Sequence, residues 1–208
     1  MRTTFFLFLV FLAVNSYSQT GIIREFTGSV ELKPAGSSGF IPAKTGNEVA
    51  QNTIVSTGFG STAIIEVEST LITLYPLTRL SFAETNNSQN NGNLNINLQA
   101  GRIRVDVKPP AGTRANTTVQ SSNAAASVRG TIFEMDTHNL DVIEGTVNWK
   151  SLNGLSLNIP AGFRGSIDAN GNILNYVENI KNTSVAAPVG AGLSGERVNP
   201  SSSGGGKN

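Results

Sequence analysis

Cysteine is absent from the 208 residues of this chain, and histidine occurs only once. The lack of cysteine excludes disulfides, thiolate metal ligands, cysteine nucleophiles and a lipid-modified cysteine after a leader. The single histidine, His138, has no second imidazole with which to complete a zinc site, and it would have to serve any Ser-His-Asp triad. Because it lies between two aspartates in the segment DTHNLD, we interpret it as part of a polar turn.

An excess of charge of either sign is also lacking. The chain has 15 Lys and Arg against 14 Asp and Glu, and one of the cations, Arg2, falls in the leader described below. Without Arg2 the balance is 14 against 14, so the mature chain is formally neutral. Nucleic acid and anionic membrane surfaces attract proteins with a basic excess. We therefore expect no nucleic acid among the partners.

The one long apolar run lies at the N-terminus. Arg2 precedes FFLFLVFLAV at Phe5 to Val14, and small residues follow at Ser16 and Ser18. This order is typical of a signal peptide, and the run is shorter than the roughly 20 apolar residues of a membrane-spanning helix. We predict that residues 1–18 are a cleaved signal peptide. The protein would then be periplasmic or secreted, without stable membrane insertion; an uncleaved anchor is the alternative.

Alternation of apolar and polar residues with a period of two dominates the rest of the chain. It is clean in three segments, at 94–98, 103–107 and 155–159. Residues two apart in a strand share one face, so each segment buries one side and exposes the other. Turn signals built on Gly and Asn separate such runs at short intervals. The pattern predicts an all-β fold, an antiparallel, jelly-roll-like β-sandwich or a short β-roll.

The folded domain is predicted to end well before the C-terminus. From residue 182 onward the chain is rich in Gly, Ser, Ala and Pro, and it ends in NPSSSGGGKN. Such a segment cannot bury enough apolar surface to offset the entropy lost on ordering. We predict one all-β domain over residues 21–181 and a disordered tail over residues 182–208.

The segment ASVRGTIFEM, residues 126–135, changes its buried face in the middle. Apolar residues fall on even positions before Gly130, whereas Phe133 and Met135 fall on odd positions after it. A β-bulge adds the one residue that this change requires, and glycine tolerates the bulge conformation. We interpret Arg129 and Gly130 as a bulge in one strand, with Arg129 able to bind a carboxylate or carbonyl groups. An anion-binding arginine at a glycine turn is the alternative.

A short pattern, Gly-x-(Val/Ile)-x-apolar, recurs after Gly28, Gly101 and Gly145. Each glycine falls where one strand turns into the next, a place at which glycine adopts a positive φ without steric cost. The copies are too short and too unevenly spaced for a solenoid repeat. We interpret them as recurring hairpin turns.

The region around residue 130 resembles the FecR-type domain family, whose pattern is Val-Arg-Gly-Thr-x-Phe, then Glu-Gly-x-Val, then Ala-Gly. The matching residues are Val128, Arg129, Gly130, Thr131 and Phe133, then Glu144, Gly145 and Val147, then Ala161 and Gly162. Upstream, Thr57, Gly58 and Ser61 stand in the places of the family's Thr-Gly and Ser. The resemblance extends over residues 21–167.

The resemblance implies an all-β sandwich domain in the bacterial periplasm. In the family's best-known members the domain follows an inner-membrane helix and a cytoplasmic anti-sigma segment, and it senses an outer-membrane transporter by protein contact. Here the predicted signal peptide leads almost directly into the domain, as in stand-alone secreted members. We expect a non-catalytic interaction module without cofactor or metal, which binds an envelope protein or component through a sheet face or edge.

A carbohydrate-binding or carbohydrate-active protein on the same scaffold is the alternative. Glu66 and Glu68, two apart on one strand face, are candidate paired acids, although a solvent-facing strand explains them more simply. The segment Asp168–Asn172 lacks the alternating acids of a calcium loop, and we predict a two-residue hairpin turn at Asn170 and Gly171. Trp149 alternates with polar neighbours and is predicted to lie in the core.

Overall fold

The structure, a computed structural model, describes residues 20–83, 93–109, 116–168 and 170–178. These residues form eighteen strands. The strands are β1 (Gly21–Thr27), β2 (Val30–Lys33), β3 (Ile41–Pro42), β4 (Glu48–Val49), β5 (Ile54–Thr57), β6 (Thr62–Val67), β7 (Thr70–Leu74), β8 (Arg79–Phe82), β9 (Asn93–Ala100), β10 (Arg102–Val107), β11 (Asn116–Gln120), β12 (Ala124–Val128), β13 (Ile132–Asp136), β14 (Asn139–Glu144), β15 (Thr146–Ser151), β16 (Ser156–Pro160), β17 (Phe163–Ile167) and β18 (Ile173–Glu178). Over these residues there is no helix of the length and apolarity that crossing a membrane requires.

The strands form two sheets of nine. Sheet 1 has the order β18-β17-β14-β13-β10-β7-β6-β1-β4, and sheet 2 has the order β16-β15-β12-β11-β9-β8-β5-β2-β3. In both sheets the strands follow approximately the order of the chain, from β1–β4 at one end of the sandwich to β16–β18 at the other. Neighbouring strands are antiparallel except for the parallel pair β9 and β11. The predicted all-β sandwich is confirmed. The predicted signal peptide and the whole of the predicted tail lie outside the described residues.

The inner faces of the two sheets bury one apolar core. Trp149 of β15, predicted to be a core residue, is fully buried in sheet 2. Opposite it, on β17 of sheet 1, lies Gly165, where an added Cβ would come within 2.4 Å of Trp149 Cζ3 and 2.3 Å of Ile159 Cδ1. The absence of a side chain at position 165 therefore lets the sheets approach each other over the indole ring.

The segment around Gly130 is not one bulged strand. Residues up to Val128 belong to β12 in sheet 2, whereas residues from Ile132 belong to β13 in sheet 1. The core-facing positions change from even to odd, as the sequence indicates, because the chain leaves one sheet and enters the facing one. Gly130, with φ of 67°, lies in this corner. The bulge prediction is wrong, and a crossing between sheets causes the change of face.

The glycines of the recurring pattern also mark crossings between the sheets. Gly28, Gly101 and Gly145 have φ values of 75°, 82° and 82°, and they join β1 to β2, β9 to β10 and β14 to β15. In each case the two strands belong to different sheets, whereas the arms of a hairpin pair with each other in one sheet. The hairpin interpretation is therefore wrong for these three positions.

Candidate functional site

The motif around Gly130 assembles where two crossings lie side by side. One crossing runs from β12 to β13 through Arg129–Thr131, and the other runs from β14 to β15 through Gly145. A Cβ added at Gly145 would come within 2.6 Å of Thr131 Cγ2, and the Thr131 side chain is buried. The threonine of one half of the motif thus fills the space that the glycine of the other half leaves open. We call Arg129, Gly130, Thr131 and Gly145 the motif corner.

The remaining motif residues place this corner on the sandwich. Val128, Phe133 and Val147 are buried in the core. Glu144 is exposed at the end of β14, and its backbone pairs with Ile132 of β13. All four therefore have positions that the fold itself explains.

Arg129 differs from the other motif residues because its side chain is exposed and lines a groove. The groove lies on the outer face of sheet 2 and has a volume of about 360 Å³. Strand pairing assembles it, since Ser127 lies opposite Asn148 and Asn148 lies opposite Asn158. We call this the Arg129 groove; its lining residues are Asn116, Ser127, Val128, Arg129, Thr146, Asn148 and Asn158.

Amides and hydroxyls supply most of the chemistry of the Arg129 groove. Asn148 Nδ2 donates hydrogen bonds to Ser156 Oγ at 3.0 Å and to Asn158 Oδ1 at 2.8 Å. These bonds leave the Asn158 amide group as a donor for a ligand. Within the described ranges, no side-chain hydrogen bond engages Asn116 or Thr146. The groove can therefore offer both donors and acceptors, and none of its described lining residues is a carboxylate.

Arg129 is the one arginine, of the six in the described part of the chain, for which the structure shows no interaction partner there. Four of the others form ion pairs with carboxylates, namely Arg24, Arg102, Arg104 and Arg164. The fifth, Arg79, has its Cζ 5.5 Å from the centroid of the Phe40 ring. A guanidinium carries five donors in a planar fork that matches an oxyanion. This geometry favours the alternative interpretation of Arg129, an anion-binding arginine at a glycine corner.

The outer face of sheet 1 carries paired charges instead. Strand register places Arg104, Glu134, Asp141 and Arg164 side by side on four neighbouring strands. Arg164 binds the fully buried Asp141 through two hydrogen bonds, Nε to Oδ1 at 2.6 Å and Nη2 to Oδ2 at 2.8 Å. Arg102 Nη2 donates to the same Oδ2. We call Tyr75, Arg102, Arg104, Glu134, Asp141 and Arg164 the ion-pair cluster.

Glu134 is the second carboxylate of the ion-pair cluster and is 9% exposed. Its oxygens lie 3.4 Å from Arg102 Nε and 3.5 Å from Arg104 Nη1, and one of them accepts a 3.1 Å hydrogen bond from the Tyr75 hydroxyl. Burial, followed by the charge of Glu134, raises the pKa of Tyr75. The hydrogen bonds to Asp141 raise the pKa of Arg164. Charges that satisfy one another in this way hold neighbouring strands together.

The ion-pair cluster was not predicted from the sequence. Two signals were present: Arg102 and Arg104 share one face of an alternating strand, and Glu134 and Asp141 each lie between apolar residues. Neither signal shows which acid meets which arginine, because the four strands become neighbours only through the register of sheet 1. The lining of the Arg129 groove depends on register in the same way.

His138 lies in the turn between β13 and β14, as predicted. The Asp136 carboxylate accepts hydrogen bonds from the backbone N–H groups of His138 and Asn139, each at 2.8 Å. The imidazole nitrogens lie 3.1 Å from Asn123 Nδ2 and 2.9 Å from Thr137 Oγ1. These contacts stabilise a turn and bring no nucleophile to the ring. The described residues contain no group of three or more His, Asp or Glu placed to hold a metal.

Glu66 and Glu68 do not share a strand face, contrary to the prediction. Glu66 on β6 is hydrogen-bonded to Arg24 of β1, and this bond lowers the pKa of Glu66. Strand β6 ends at Val67, and Glu68 lies in the turn to β7 with φ of 52°. The turn separates the two carboxylates, so they do not form the pair that glycoside hydrolysis requires.

Asp168 closes the loop between β17 and β18. Its Oδ1 accepts hydrogen bonds from the backbone N–H groups of Asn170 at 2.8 Å and Asn172 at 2.9 Å. The hydrogen bonds from Asn172 are the main cause of its lowered pKa. Because Ile167 pairs with Ile173, the loop is longer than the predicted two-residue turn, and that prediction is wrong.

The residues of this region can be compared with known protein families. The family model described as FecR protein matches residues 53–148. Residues 53–148 are therefore similar to the FecR family. The matched residues include the motif corner, most of the Arg129 groove and four of the five charged members of the ion-pair cluster. None of the curated proteins compared with the chain matches it.

Two crystal structures share the fold of this chain. Both are of a proposed anti-sigma factor from Parabacteroides distasonis, at resolutions of 1.65 and 2.50 Å. The TM-scores are 0.50 and 0.51, each with 15% sequence identity over 60% of this chain. This chain spans 59% of the length of those chains. At this identity the similarity concerns the fold alone.

Proposed function

We propose that this protein is a non-catalytic interaction module of the FecR type that binds an envelope component through the Arg129 groove. One observation carries the proposal. Arg129 is exposed in a groove of uncharged hydrogen-bonding groups and has no partner within the described ranges, whereas the arginines of sheet 1 are paired. An exposed cation without a counter-charge contributes little to folding, and it is available for a partner.

Three of the four edge strands, β3, β4 and β16, support binding less well than this face. At one end of the sandwich β3 and β4 have two residues each, and Pro42 of β3 has no N–H with which to pair an added strand. At the other end, the edge strand β16 ends in Pro160. Its Asn158 already belongs to the Arg129 groove. A partner bound in the groove would therefore contact β16 through Asn158 and would not have to pair with the edge of this strand.

Regulation by contact is the role we propose for this binding. The family match and the fold shared with a proposed anti-sigma factor support a part in signalling, which needs a partner and no chemical step. A hydrolase is supported less, because the described part of the chain brings no carboxylate to the groove and glycoside hydrolysis needs two. Carbohydrate binding without cleavage is the second candidate, and the amides and hydroxyls of the groove favour it.

We further propose that residues 1–18 direct export and that the protein works in the periplasm or outside the cell. The charge, apolar run and small residues of this segment support export. The test is fractionation of the native bacterium with mass spectrometry of the protein recovered. We expect an exported chain that begins at Gln19. A full-length chain confined to the cytoplasm would contradict the proposal.

Site-specific photo-crosslinking in living cells tests the binding face. A photoreactive amino acid at Asn148 lies on the outer face of sheet 2, and a matched one at Thr73 lies on the outer face of sheet 1. We expect a discrete adduct from position 148, weakened by the second substitution R129Q, and no equivalent adduct from position 73. Adducts from position 73 alone, adducts indifferent to R129Q, or none at position 148 would each refute the proposed binding face.

A further inference from the structure

We propose that the Arg129 groove binds an acidic sugar, a carbohydrate unit that carries one carboxylate within a larger glycan. The proposal rests on the function proposed above and names the class of ligand. It begins from Arg129, the one cation that the described residues contribute to the groove. Arg129 supplies one positive charge, and no carboxylate among the lining residues offsets it. A lining whose described residues bring one guanidinium and no other cation is suited to one negative charge.

The guanidinium geometry selects an oxyanion, and the charge favours a carboxylate over a phosphate. The planar fork of an arginine binds either group through two parallel hydrogen bonds. A phosphate monoester, however, carries about −1.5 to −2 at neutral pH, and one arginine leaves part of that charge unmatched. A carboxylate carries one negative charge and balances Arg129 alone.

The rest of the lining indicates a ligand rich in hydroxyl groups. Five of the seven lining residues carry uncharged polar groups, namely Asn116, Ser127, Thr146, Asn148 and Asn158. Amides and hydroxyls donate and accept, as the hydroxyls of a sugar ring do. The volume of about 360 Å³ lies at the lower end of the roughly 300–1,000 Å³ that small-molecule sites occupy. One or two sugar units fit a site of this size.

A peptide fits the same groove poorly. Peptide recognition in an extended conformation uses a free sheet edge for the backbone and apolar pockets for alternate side chains. Val128 is the one apolar residue of the lining, and it is 3% exposed because its side chain belongs to the core. Apolar side chains of a peptide would therefore find no pocket along this lining.

Two features hold the polar groups of the groove in place before a ligand binds. Gly130 and the packed pair Thr131 and Gly145 fix the corner from which Arg129 projects. Asn148 is held by its hydrogen bonds to Ser156 and Asn158. Ordering these groups in advance reduces the loss of conformational entropy that binding must offset.

Isothermal titration calorimetry on the mature protein, residues 19–208, tests the proposal. The probes are two acidic sugars, trigalacturonate and sialyllactose, each beside a neutral counterpart, the methyl ester of trigalacturonate and lactose. Sodium acetate serves as a carboxylate without a sugar. We expect at least one acidic sugar to bind, with an affinity at least tenfold above its neutral counterpart and above acetate, because both the charge and the hydroxyls contribute.

Variants then assign the binding to the groove. R129Q is expected to weaken acidic-sugar binding at least tenfold, and N158A several-fold, with unfolding temperatures unchanged. R79Q is the matched control, because Arg79 is an exposed arginine of sheet 2 outside the groove. It should bind as the wild type does.

The proposal would be overturned by no binding of either acidic sugar, by equal binding of acidic and neutral counterparts, or by binding that R129Q leaves intact. Acetate binding as tightly as the sugars would also overturn it, since the groove would then be a plain anion site. Crosslinks at position 148 that depend on Arg129, found without any sugar binding, would remove the ligand class and leave the proposed function standing. If neither Arg129-dependent crosslinks at position 148 nor acidic-sugar binding were found, both proposals would be refuted.

Discussion

The two sheets of this sandwich bury similar inner faces and present outer faces of different chemistry. On sheet 1, arginines and carboxylates neutralise one another, and Asp141 is shut off from solvent beneath Arg102 and Arg164. On sheet 2, amides and hydroxyls surround Arg129, which has no counter-charge within the described residues. Because the core determines the fold, the residues of the two outer faces can differ without changing it. We infer that sheet 1 stabilises the domain and that sheet 2 recognises a partner.

Removal of the Asp141 charge is the strongest way to test the stabilising role of sheet 1. In D141N, the guanidinium groups of Arg102 and Arg164 lose the buried carboxylate that both contact. Loss of one partner from a buried ion pair costs about 3–5 kcal/mol, so we expect the free energy of unfolding to fall by about 3 kcal/mol in urea denaturation.

The matched change on sheet 2 is N158A, since Asn158 is exposed. Its expected effect is within about 0.5 kcal/mol, as for most surface substitutions. Equal losses of stability in D141N and N158A would remove the distinction between the two faces.

The motif corner, which joins the sheets, gives the next largest effect. G145A places a methyl group against Thr131 in a backbone with φ of 82°. We expect a loss of about 2 kcal/mol, because the overpacking adds to the strain of a positive φ. Among the described residues, the Cβ added in G130A would meet only Pro109, at 3.6 Å, so the backbone conformation is expected to cost about 1 kcal/mol.

Urea denaturation of both glycine variants measures the difference between them. If G130A were the more damaging, close packing between Thr131 and Gly145 would not be what holds the corner.

A smaller effect is expected from Asp168 in the loop that joins β17 to β18. Its pKa is lower in the folded protein than in the unfolded chain, because hydrogen bonds from Asn172 favour the carboxylate. A depressed folded pKa gives stability that is fully present above the unfolded pKa of about 4 and is lost as the pH falls below it. We expect D168N to flatten the decline of the unfolding temperature between about pH 4 and pH 2. A decline identical to the wild type would contradict this assignment.

Residue patterns predict the fold class of this chain and leave its connections open. Alternation at 94–98 and 103–107 predicts strands, because burial of one sheet face imposes a period of two whatever the topology. A glycine with positive φ serves a hairpin and a crossing between sheets equally well, so Gly101 and Gly145 do not distinguish the two. The change of face at Gly130 is visible in the sequence, whereas its cause depends on a second sheet.

The candidate site, too, is only partly predictable from the sequence. Arg129 is identifiable from the motif, and anion binding is among its possible roles from sequence alone. Its surroundings are not identifiable, because Asn116, Ser127, Asn148 and Asn158 come from four strands that meet only through register. Asp141 is hidden for the same reason, since its partners Arg102 and Arg164 lie 39 and 23 residues away in the chain.

The most direct test of the contrast between the two faces is the unfolding free energy of R129Q measured beside that of R164Q. Both variants remove one guanidinium from an outer face. We expect R164Q to lose about 2 kcal/mol, because Asp141 keeps Arg102 but loses a two-point contact. We expect R129Q to stay within about 0.5 kcal/mol of the wild type. If R129Q were destabilised as much as R164Q, Arg129 would be part of the architecture, and the binding role of sheet 2 would lose its basis.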